Sequence, residues 1–270
     1  MGNEPTPRFL TKSRFKLALE CPTKLFYTKK IEYPDQKLDN AFLKALSNGG
    51  FQVGELAKYY FPGGNEIEEL DYEIALFKTN ELLKLDDVTI YEAAFVYQNL
   101  FIRADVVVKK KDSIFLYEVK AKSIDGANPS FVTKNNRIQS KWKPYIYDIA
   151  FQKYVVQKAF PYYKVQAFLM LADKNAIASV DGLNQKFFLS TDNQGRTKVN
   201  VIGDVSLSSL GNSLLCSVSV DTIIDPLFHN TPFEDAPEKS FVDWINFYAE
   251  NYNQDNLIRT AIKPSCRWVY

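Results

Sequence analysis

Two carboxylates and a lysine interrupt segments of the chain that otherwise have the composition of strands. Asp105 lies in Ile102-Arg-Ala-Asp-Val-Val-Val108, and Glu118 and Lys120 lie in Ile114-Phe-Leu-Tyr-Glu-Val-Lys120. Because side chains alternate between the two faces of a strand, Glu118 and Lys120 share a face. A hairpin that turns at the lysine-rich stretch between the two segments places Asp105 opposite Glu118 to within a residue or two.

This arrangement predicts a site for a divalent cation. Facing carboxylates repel each other unless a positive charge lies between them, and paired strands are about 5 Å apart, so one cation can contact both. Oxygen ligands favour Mg²⁺ or Mn²⁺ over zinc. Lys120 beside them can orient or deprotonate a water, or neutralise charge on a phosphorane-like transition state. The alternative interpretation of Glu118-Val-Lys120 is a solvated strand face or a cross-strand ion pair.

Several other catalytic systems are excluded by the residues that the chain lacks. The single histidine, His229, lies in a loop-like stretch between two prolines, which argues against Ser-His-Asp, Cys-His and imidazole-based zinc chemistry. The chain has no G-x-x-x-x-G-K-[ST], G-x-G-x-x-G or G-x-S-x-G motif, which argues against an ATPase, a dinucleotide-dependent enzyme and an α/β-hydrolase respectively. If the protein is an enzyme, carboxylates and lysines must therefore carry the chemistry.

The order of the predicted elements indicates an α/β fold with a mixed central sheet flanked by helices. Valine-, isoleucine- and aromatic-rich strands are expected at 89–97, 100–109, 113–120 and 164–172. A helix is expected at about 145–159, and the pair Gly49-Gly50 is expected to separate a helix at 38–46 from another at 51–61. Weaker signals predict a small hairpin from 187–189 and 197–202, and a helix at 243–252.

Composition indicates one globular domain that spans residues 1–270. Its core is expected at about 38–172, after an N-terminal helical segment (1–37) and before a C-terminal elaboration (173–270). The chain has 33 basic and 32 acidic residues, a net charge of +1 and 46% hydrophobic residues. It shows no secretory signal and no apolar run of membrane-spanning length, so we expect a cytoplasmic protein with no membrane partner.

The spacing of these residues resembles the PD-(D/E)XK nuclease superfamily, and within it the branch of RecB-type nuclease domains and CRISPR-adaptation exonucleases. The resemblance covers roughly residues 9–172. It depends on five features: the opening Leu10–Phe15 with Cys21–Tyr27, Val53-Gly-Glu-Leu-Ala57, Glu92, Asp105 with Glu118-Val-Lys120, and Gln152-Lys-Tyr154. The chain departs from the family pattern in carrying Arg103-Ala104 where a glycine is usual, and in the short spacing from Gln152 to Tyr154.

The resemblance implies a restriction-endonuclease-like core and a Mg²⁺- or Mn²⁺-dependent deoxyribonuclease of DNA repair, recombination or defence. Metal ligands would be Glu55, Asp105 and Glu118, and Lys120 would assist. On the helix after the sheet, Gln152 can hydrogen-bond a phosphate or a base edge, and Tyr154 can contact the backbone or orient Lys120. The alternative for both residues is plain packing of an amphipathic helix. Exonuclease and endonuclease modes both stay open. The alternatives are a catalytically silent nucleic-acid-binding module on the same fold, a small-molecule phosphoesterase and an unrelated α/β scaffold.

The distribution of charge favours DNA, single-stranded or at duplex ends, as the partner. Residues 103–144 contain ten Lys or Arg and four Asp or Glu, a local net charge of +6. The same segment contains Phe131 and Trp142, which are candidates for stacking on unpaired bases. The predicted DNA contacts are Lys122, Lys134, Arg137, Lys141 and Trp142. The alternative is an ordinary solvated loop.

The three cysteines predict neither a disulfide framework nor a complete metal cluster. Relatives in the resembled branch join one N-terminal cysteine to three C-terminal ones through an iron-sulfur cluster, which takes four thiolates. This chain has Cys21, Cys216 and Cys266. We therefore expect three buried reduced thiols and no iron-sulfur cluster. Cys266-Arg-Trp resembles the start of a cysteine-rich closing segment, so two alternatives stay open: the cluster has been lost, or a further domain or a partner chain at the C-terminus supplies the other ligands.

Overall fold

The computed structural model describes residues 8–33, 41–191, 197–203, 205–229, 231–261 and Cys266, and of residues 41–46 and Asn184 the backbone alone. The helices of these ranges are α1 Lys12–Glu20, α2 Lys24–Tyr27, α3 Ala41–Tyr59, α4 Tyr72–Leu82, α5 Lys143–Ala159, α6 Leu183–Lys186, α7 Asp221–Ile224 and α8 Phe241–Asn253. Short 3₁₀ turns cover Leu207–Leu210 and Asp225–Phe228.

A mixed sheet organises the fold. The strands are β1 Leu10–Thr11, β2 Asn65–Glu66, β3 Asp87–Tyr97, β4 Leu100–Lys110, β5 Ser113–Ile124, β6 Lys164–Asp173, β7 Phe187–Thr191, β8 Thr197–Val201, β9 Leu215–Ser219, β10 Pro232–Phe233 and β11 Ala236–Ser240. Within the described residues the central sheet has the order β2-β3-β4-β5-β6-β9, and β1 pairs with the start of β4. The pairs β3–β4, β4–β5 and β6–β9 are antiparallel, whereas β2–β3 and β5–β6 are parallel. The α/β fold with a mixed sheet, predicted from the sequence, is confirmed.

The two faces of the sheet bury different sets of helices. The larger core lies on one face, where α5 packs against β3, β4 and β6 and α1 packs against α5. The smaller core lies on the other face, where α3 packs against β5 and the β7–β8 hairpin. The end of β5 that carries Glu118 and Lys120 is therefore covered by helices on both faces of the sheet.

The helix α3 corrects one boundary predicted from the sequence. Gly49 and Gly50 were expected to end a helix, yet α3 runs continuously through both residues. A glycine inside a helix costs about 1 kcal/mol relative to alanine, so it weakens a helix without forbidding it. Leu56 and Ala57 are buried against the sheet, and this packing offsets the cost. Residues 38–40 of the predicted helix lie outside the described residues.

Among the described residues, no helix combines the length and the hydropathy that crossing a bilayer requires.

Candidate metal and catalytic site

The hairpin of β4 and β5 places Asp105 and Glu118 side by side. Lys110 pairs with Ser113 across the turn, and the turn residue Lys111 has a left-handed φ of 50°. The regular pairing then continues to Val106 and Tyr117. Asp105 and Glu118 are the next residue on each strand, so the predicted juxtaposition of the two carboxylates is confirmed.

The backbone ladder opens where the carboxylates meet. Asp105 Oδ2 accepts a hydrogen bond from the backbone N–H of Val119 at 2.8 Å, so a side chain replaces the cross-strand carbonyl there. On the other neighbouring strand, β3, Glu92 has a left-handed φ of 55° and lies between the pairs Tyr91–Val106 and Ala93–Ala104. A left-handed backbone is uncommon for a residue with a side chain and is found at functional sites more often than elsewhere.

A lysine that sequence reasoning missed connects the two carboxylates. The Lys12 ammonium lies 3.1 Å from Asp105 Oδ1 and 2.9 Å from Glu118 Oε2. Lys12 is the first residue of α1, and Thr11 caps that helix by accepting a hydrogen bond from the N–H of Arg14. Leu10 donates its N–H to the carbonyl of Asn99 at 2.8 Å, which fixes the start of α1 against β4. Nothing in the local sequence pattern marks Lys12, because its partners are far along the chain.

Glu118 is fully buried and has donors on both oxygens. Its Oε2 also accepts a hydrogen bond from Gln152 Nε2 at 2.7 Å, and its Oε1 is paired with the Lys120 ammonium. Gln152 is itself fully buried on α5, so it does not reach a phosphate or a base as predicted. It is a positioning residue for Glu118. Its Oε1 has no hydrogen-bond partner among the described residues.

A third acid, Asp148, completes the cluster and was also missed. It lies one turn before Gln152 on α5, and its Oδ1 accepts a second hydrogen bond from Gln152 Nε2 at 3.2 Å. Its Oδ2 is 3.7 Å from the Lys120 ammonium and 3.8 Å from that of Lys16. The i, i+4 spacing of Asp148 and Gln152 on a helix predicts that they share a face, and this signal could have identified Asp148.

The acids and lysines of the cluster shift each other's pKa values. Burial raises the pKa of Glu118, but Lys12 and Lys120 outweigh it and hold that pKa well below its usual range. Burial lowers the pKa of Lys120, yet Glu118 and Asp105 raise it above its usual range. Burial, with Glu118 nearby, raises the pKa of Asp148 to about 6. Glu118 is therefore ionised and Lys120 charged near neutral pH.

A cleft of about 710 Å³ opens beside the cluster, and half of the residues that line it are acids or lysines. Asp105, Lys120, Glu55 and Glu92 belong to its wall. Glu55 is paired with Lys58 at 2.8 Å. The structure thus brings Glu55 to the same cleft as Asp105, without a contact between the two carboxylates.

Glu92 contributes a second acid to the cleft wall. Its Oε2 lies 3.4 Å from Arg103 Nε. Burial raises the pKa of Glu92, and the charge of Asp105 adds to that increase. Within the described residues, no group of three or more His, Cys, Asp or Glu side chains is close enough to hold a metal ion.

Two aromatic residues predicted at the site belong to the hydrophobic core instead. Tyr154 is buried, packs edge-on against Tyr97 and lies near Phe228, so it cannot orient Lys120. Two residues along a helix turn a side chain by about 200°, which points Tyr154 away from the face of Gln152. Trp142 is only 2% exposed and packs edge-on against Phe131, so neither ring is open to a base.

Of the basic residues predicted to bind DNA, Lys122 lies near the end of β5 and the other three lie between β5 and α5. Lys134, Arg137 and Lys141 are exposed. Lys122 is half-buried: it donates a hydrogen bond to the carbonyl of Lys141 at 2.8 Å and its ammonium lies 4.8 Å from the centre of the Trp142 ring. Trp142 therefore supports the basic surface from beneath.

The cysteines differ from the expectation of three reduced thiols. Cys21 and Cys266 are joined by a disulfide across 245 residues of sequence, and Cys216 is free. Cys21 directly follows α1, so the bond anchors the end of the helix whose first residue is Lys12. The large separation in sequence gave no sign of the pairing.

Comparison with models of known protein families and with curated proteins finds no match. Function must therefore be argued from the cluster itself. The cluster consists of three acids and three lysines, and it lies beside a cleft whose wall carries further acids.

Proposed function

We propose that this protein is a metal-dependent nuclease that hydrolyses phosphodiester bonds of DNA, on a restriction-endonuclease-like core. The observation that carries the proposal is that Asp105 and Glu118 both contact one positive group, the Lys12 ammonium, and that Lys120 is paired with the same glutamate. This is the arrangement implied by the resemblance to PD-(D/E)XK nucleases, reached through side chains on two adjacent strands.

The donor set fits a hard divalent cation. Asp105 Oδ1 and Glu118 Oε2 both lie within hydrogen-bonding distance of a single ammonium, so their lone pairs point at one place. Carboxylate oxygens suit Mg²⁺ and Mn²⁺, and these two residues would hold the ion. A cation bound there would supply a Lewis acid and lower the pKa of a bound water.

The surrounding residues position the pair and balance its charge. Gln152 fixes Glu118 from the buried side, and the Val119 N–H fixes Asp105. Lys120 is charged, lies at the cleft and can neutralise the additional negative charge that develops on phosphorus during hydrolysis. Glu55 and Glu92 lie in the same cleft wall, where Glu55 is paired with Lys58 and Glu92 with Arg103.

A catalytically silent nucleic-acid-binding module is the second candidate. The exposed Lys134, Arg137 and Lys141 support it as well as they support a nuclease. A pair of adjacent carboxylates of which one, Glu118, is fully buried is not needed for binding, and burying a charged group costs stability. This cost favours the enzyme.

The test is degradation of labelled single-stranded and duplex DNA by the purified protein with Mn²⁺ or Mg²⁺. We expect cleavage that Glu118→Gln abolishes and that Lys120→Met slows by about 10²–10⁴-fold, the range of a lost acid-base or charge-stabilising group. Glu69→Gln, a salt-bridged acid outside the cleft, is the matched control and should cleave like the wild type. Wild-type activity in Glu118→Gln, or no cleavage of any substrate by the wild type, would refute the proposal.

A further inference from the structure

The Lys12 ammonium occupies the one place that is shared by Asp105 and Glu118. Asp105 Oδ2 is taken by the Val119 N–H, and its Oδ1 accepts from Lys12. Glu118 Oε2 accepts from Lys12 and Gln152, and its Oε1 from Lys120 and, at 3.3 Å, again from Lys12. Lys12 is the donor common to both carboxylates.

The charges of the cluster already balance with Lys12 in place. The three acids Asp105, Glu118 and Asp148 face the three lysines Lys12, Lys16 and Lys120. A divalent cation added to this set would leave a surplus of positive charge beside Glu118, which is fully buried. Loss of the Lys12 contact removes part of that surplus and frees the oxygens that face the cation.

The side chain of Lys12 can move while its backbone stays in place. Its backbone is held by the parallel pairing of β1 with β4 and by the Thr11 cap. The side chain is 21% exposed, so it has a path to water, whereas Gln152, the other donor to Glu118 Oε2, is fully buried. Four rotatable bonds let an ammonium swing away without a change in the fold.

We propose that Lys12 is a displaceable internal cation, which holds Asp105 and Glu118 together until a divalent metal replaces it. This inference rests on the metal site of the proposed function and goes beyond it, since it assigns a competing role to a lysine outside the nuclease-like motif. The affinity for the metal then depends on the difference between two free energies: that of binding the free metal ion and that of the Lys12 contacts that the ion displaces. Removal of the tethered cation should tighten metal binding.

The test is Mn²⁺ binding to the full chain, measured by calorimetry and by the electron paramagnetic resonance signal of free Mn²⁺. Lys12→Met should bind Mn²⁺ about tenfold more tightly than the wild type, the change expected from one charged hydrogen bond. Without metal it should have a lower Tm than the wild type, and Mn²⁺ should raise its Tm further. The matched control is Lys16→Met, which lies one turn along α1 and contacts Asp148 alone among the three acids. Because Lys16 occupies no oxygen of Asp105 or Glu118, this variant should gain much less Mn²⁺ affinity than Lys12→Met does.

The outcomes separate this inference from the proposed function. Equal or weaker Mn²⁺ binding by Lys12→Met, or an equal gain in Lys16→Met, overturns the inference, and so does absence of Mn²⁺ binding in both the wild type and Lys12→Met. Tighter binding without DNA cleavage by any form defeats the nuclease and leaves the inference standing. If Lys12→Met does not fold alone, Lys12→Gln is used: folding rescued by Mn²⁺ supports the displaceable cation, and failure to fold with Mn²⁺ overturns it.

Discussion

At the residue scale, the site is a buried charge network whose members have unequal tasks. Glu118 is held ionised by Lys12 and Lys120, whereas Asp148, with fewer donors, has a pKa raised to about 6. Paired carboxylates whose surroundings push their pKa values apart are a recurring feature of catalytic sites. Two ammonium groups contact each acid, but Lys12 lies 2.9 Å from Glu118, whereas Lys120 and Lys16 lie 3.7 and 3.8 Å from Asp148.

The raised pKa of Asp148 predicts a pH dependence of stability. Between its ordinary value of 3.8 and about 6, the folded protein keeps this proton more readily than the unfolded chain does, so the contribution of Asp148 decreases as the pH rises. Asp148→Asn removes this dependence. From about pH 4.5 to about pH 7 the variant should gain about 2 kcal/mol in free energy of unfolding relative to the wild type, since one pKa unit is worth about 1.4 kcal/mol.

Urea unfolding at the two pH values measures this difference. Asp181→Asn, at an exposed aspartate, is the control and should track the wild type at both. A constant difference between Asp148→Asn and the wild type across the range would show that Asp148 titrates alike in the folded and unfolded states.

Sequence reasoning identified the residues of the site that lie on one hairpin and missed those that arrive from elsewhere. Asp105, Glu118 and Lys120 were found because the two-residue period of a strand and one turn relate them. Lys12 was missed because it is separated in sequence from Asp105 by 93 residues and from Glu118 by 106 residues. Tyr154 and Trp142 were misassigned because the local sequence does not show whether an aromatic ring near a charged site faces the cleft or the core.

At the element scale, α1 links the candidate site to the C-terminal end of the described chain. Its first residue contacts Asp105 and Glu118, and the residue after its last turn is bonded to Cys266. Within α1, Phe15 stacks on Phe151 of α5. The position of Lys12 therefore depends on packing and on a covalent bond.

The disulfide predicts a selective effect of cysteine replacement. Cys21→Ser should lower the free energy of unfolding by about 2 kcal/mol or more under oxidising conditions, because a bond across a long loop restricts the unfolded chain. Cys216→Ser is the matched control and should have a small effect, since that thiol is free. Thermal unfolding with and without reductant measures both. The assignment is wrong if reductant lowers the Tm of Cys21→Ser as much as that of the wild type.

The elements themselves were predicted with the accuracy that local pattern allows. The strands β3 to β6 and the helix α5 carry strong periodic signals and were found to within a few residues. The edge strand β9 was missed, because Leu215–Ser219 is short and its pairing with β6 depends on a distant partner. The division of α3 at Gly49-Gly50 was wrong because tertiary packing outweighed helix propensity.

At the scale of the whole molecule, charge is distributed unevenly although the net charge is +1. The exposed Lys134, Arg137 and Lys141 follow β5 in the chain, and Lys141 is held beside that strand by the hydrogen bond from Lys122, two residues beyond the cleft residue Lys120. Not every basic residue of the segment 103–144 is open to a phosphate. Lys109, for example, is buried and donates a hydrogen bond to the carbonyl of Leu85.

DNA binding should therefore depend on salt through a limited set of side chains. Replacing Lys134, Arg137 and Lys141 together by alanine should weaken binding and make the slope of log K against log salt shallower by up to about 3, roughly one unit per lost phosphate contact. The matched control replaces three exposed lysines at the opposite end of the hairpin, Lys84, Lys110 and Lys164. Fluorescence anisotropy over a salt series measures both. An unchanged slope in the first variant, or an equal change in the second, would place the DNA path elsewhere.

The burial of α5 has a consequence for how this protein can change over evolutionary time. Each side chain from Ile146 to Val156 is buried, so this part of the helix has no outer face on which substitutions are neutral. Most helices vary freely on a solvent-facing stripe and keep every third or fourth residue. Here a run that includes Asp148 and Gln152 is constrained as a block by packing and by the acidic cluster together. Related sequences can diverge over most of their surface while the sequence of this helix changes little. We therefore expect the similarity between distant relatives to be greatest in α5.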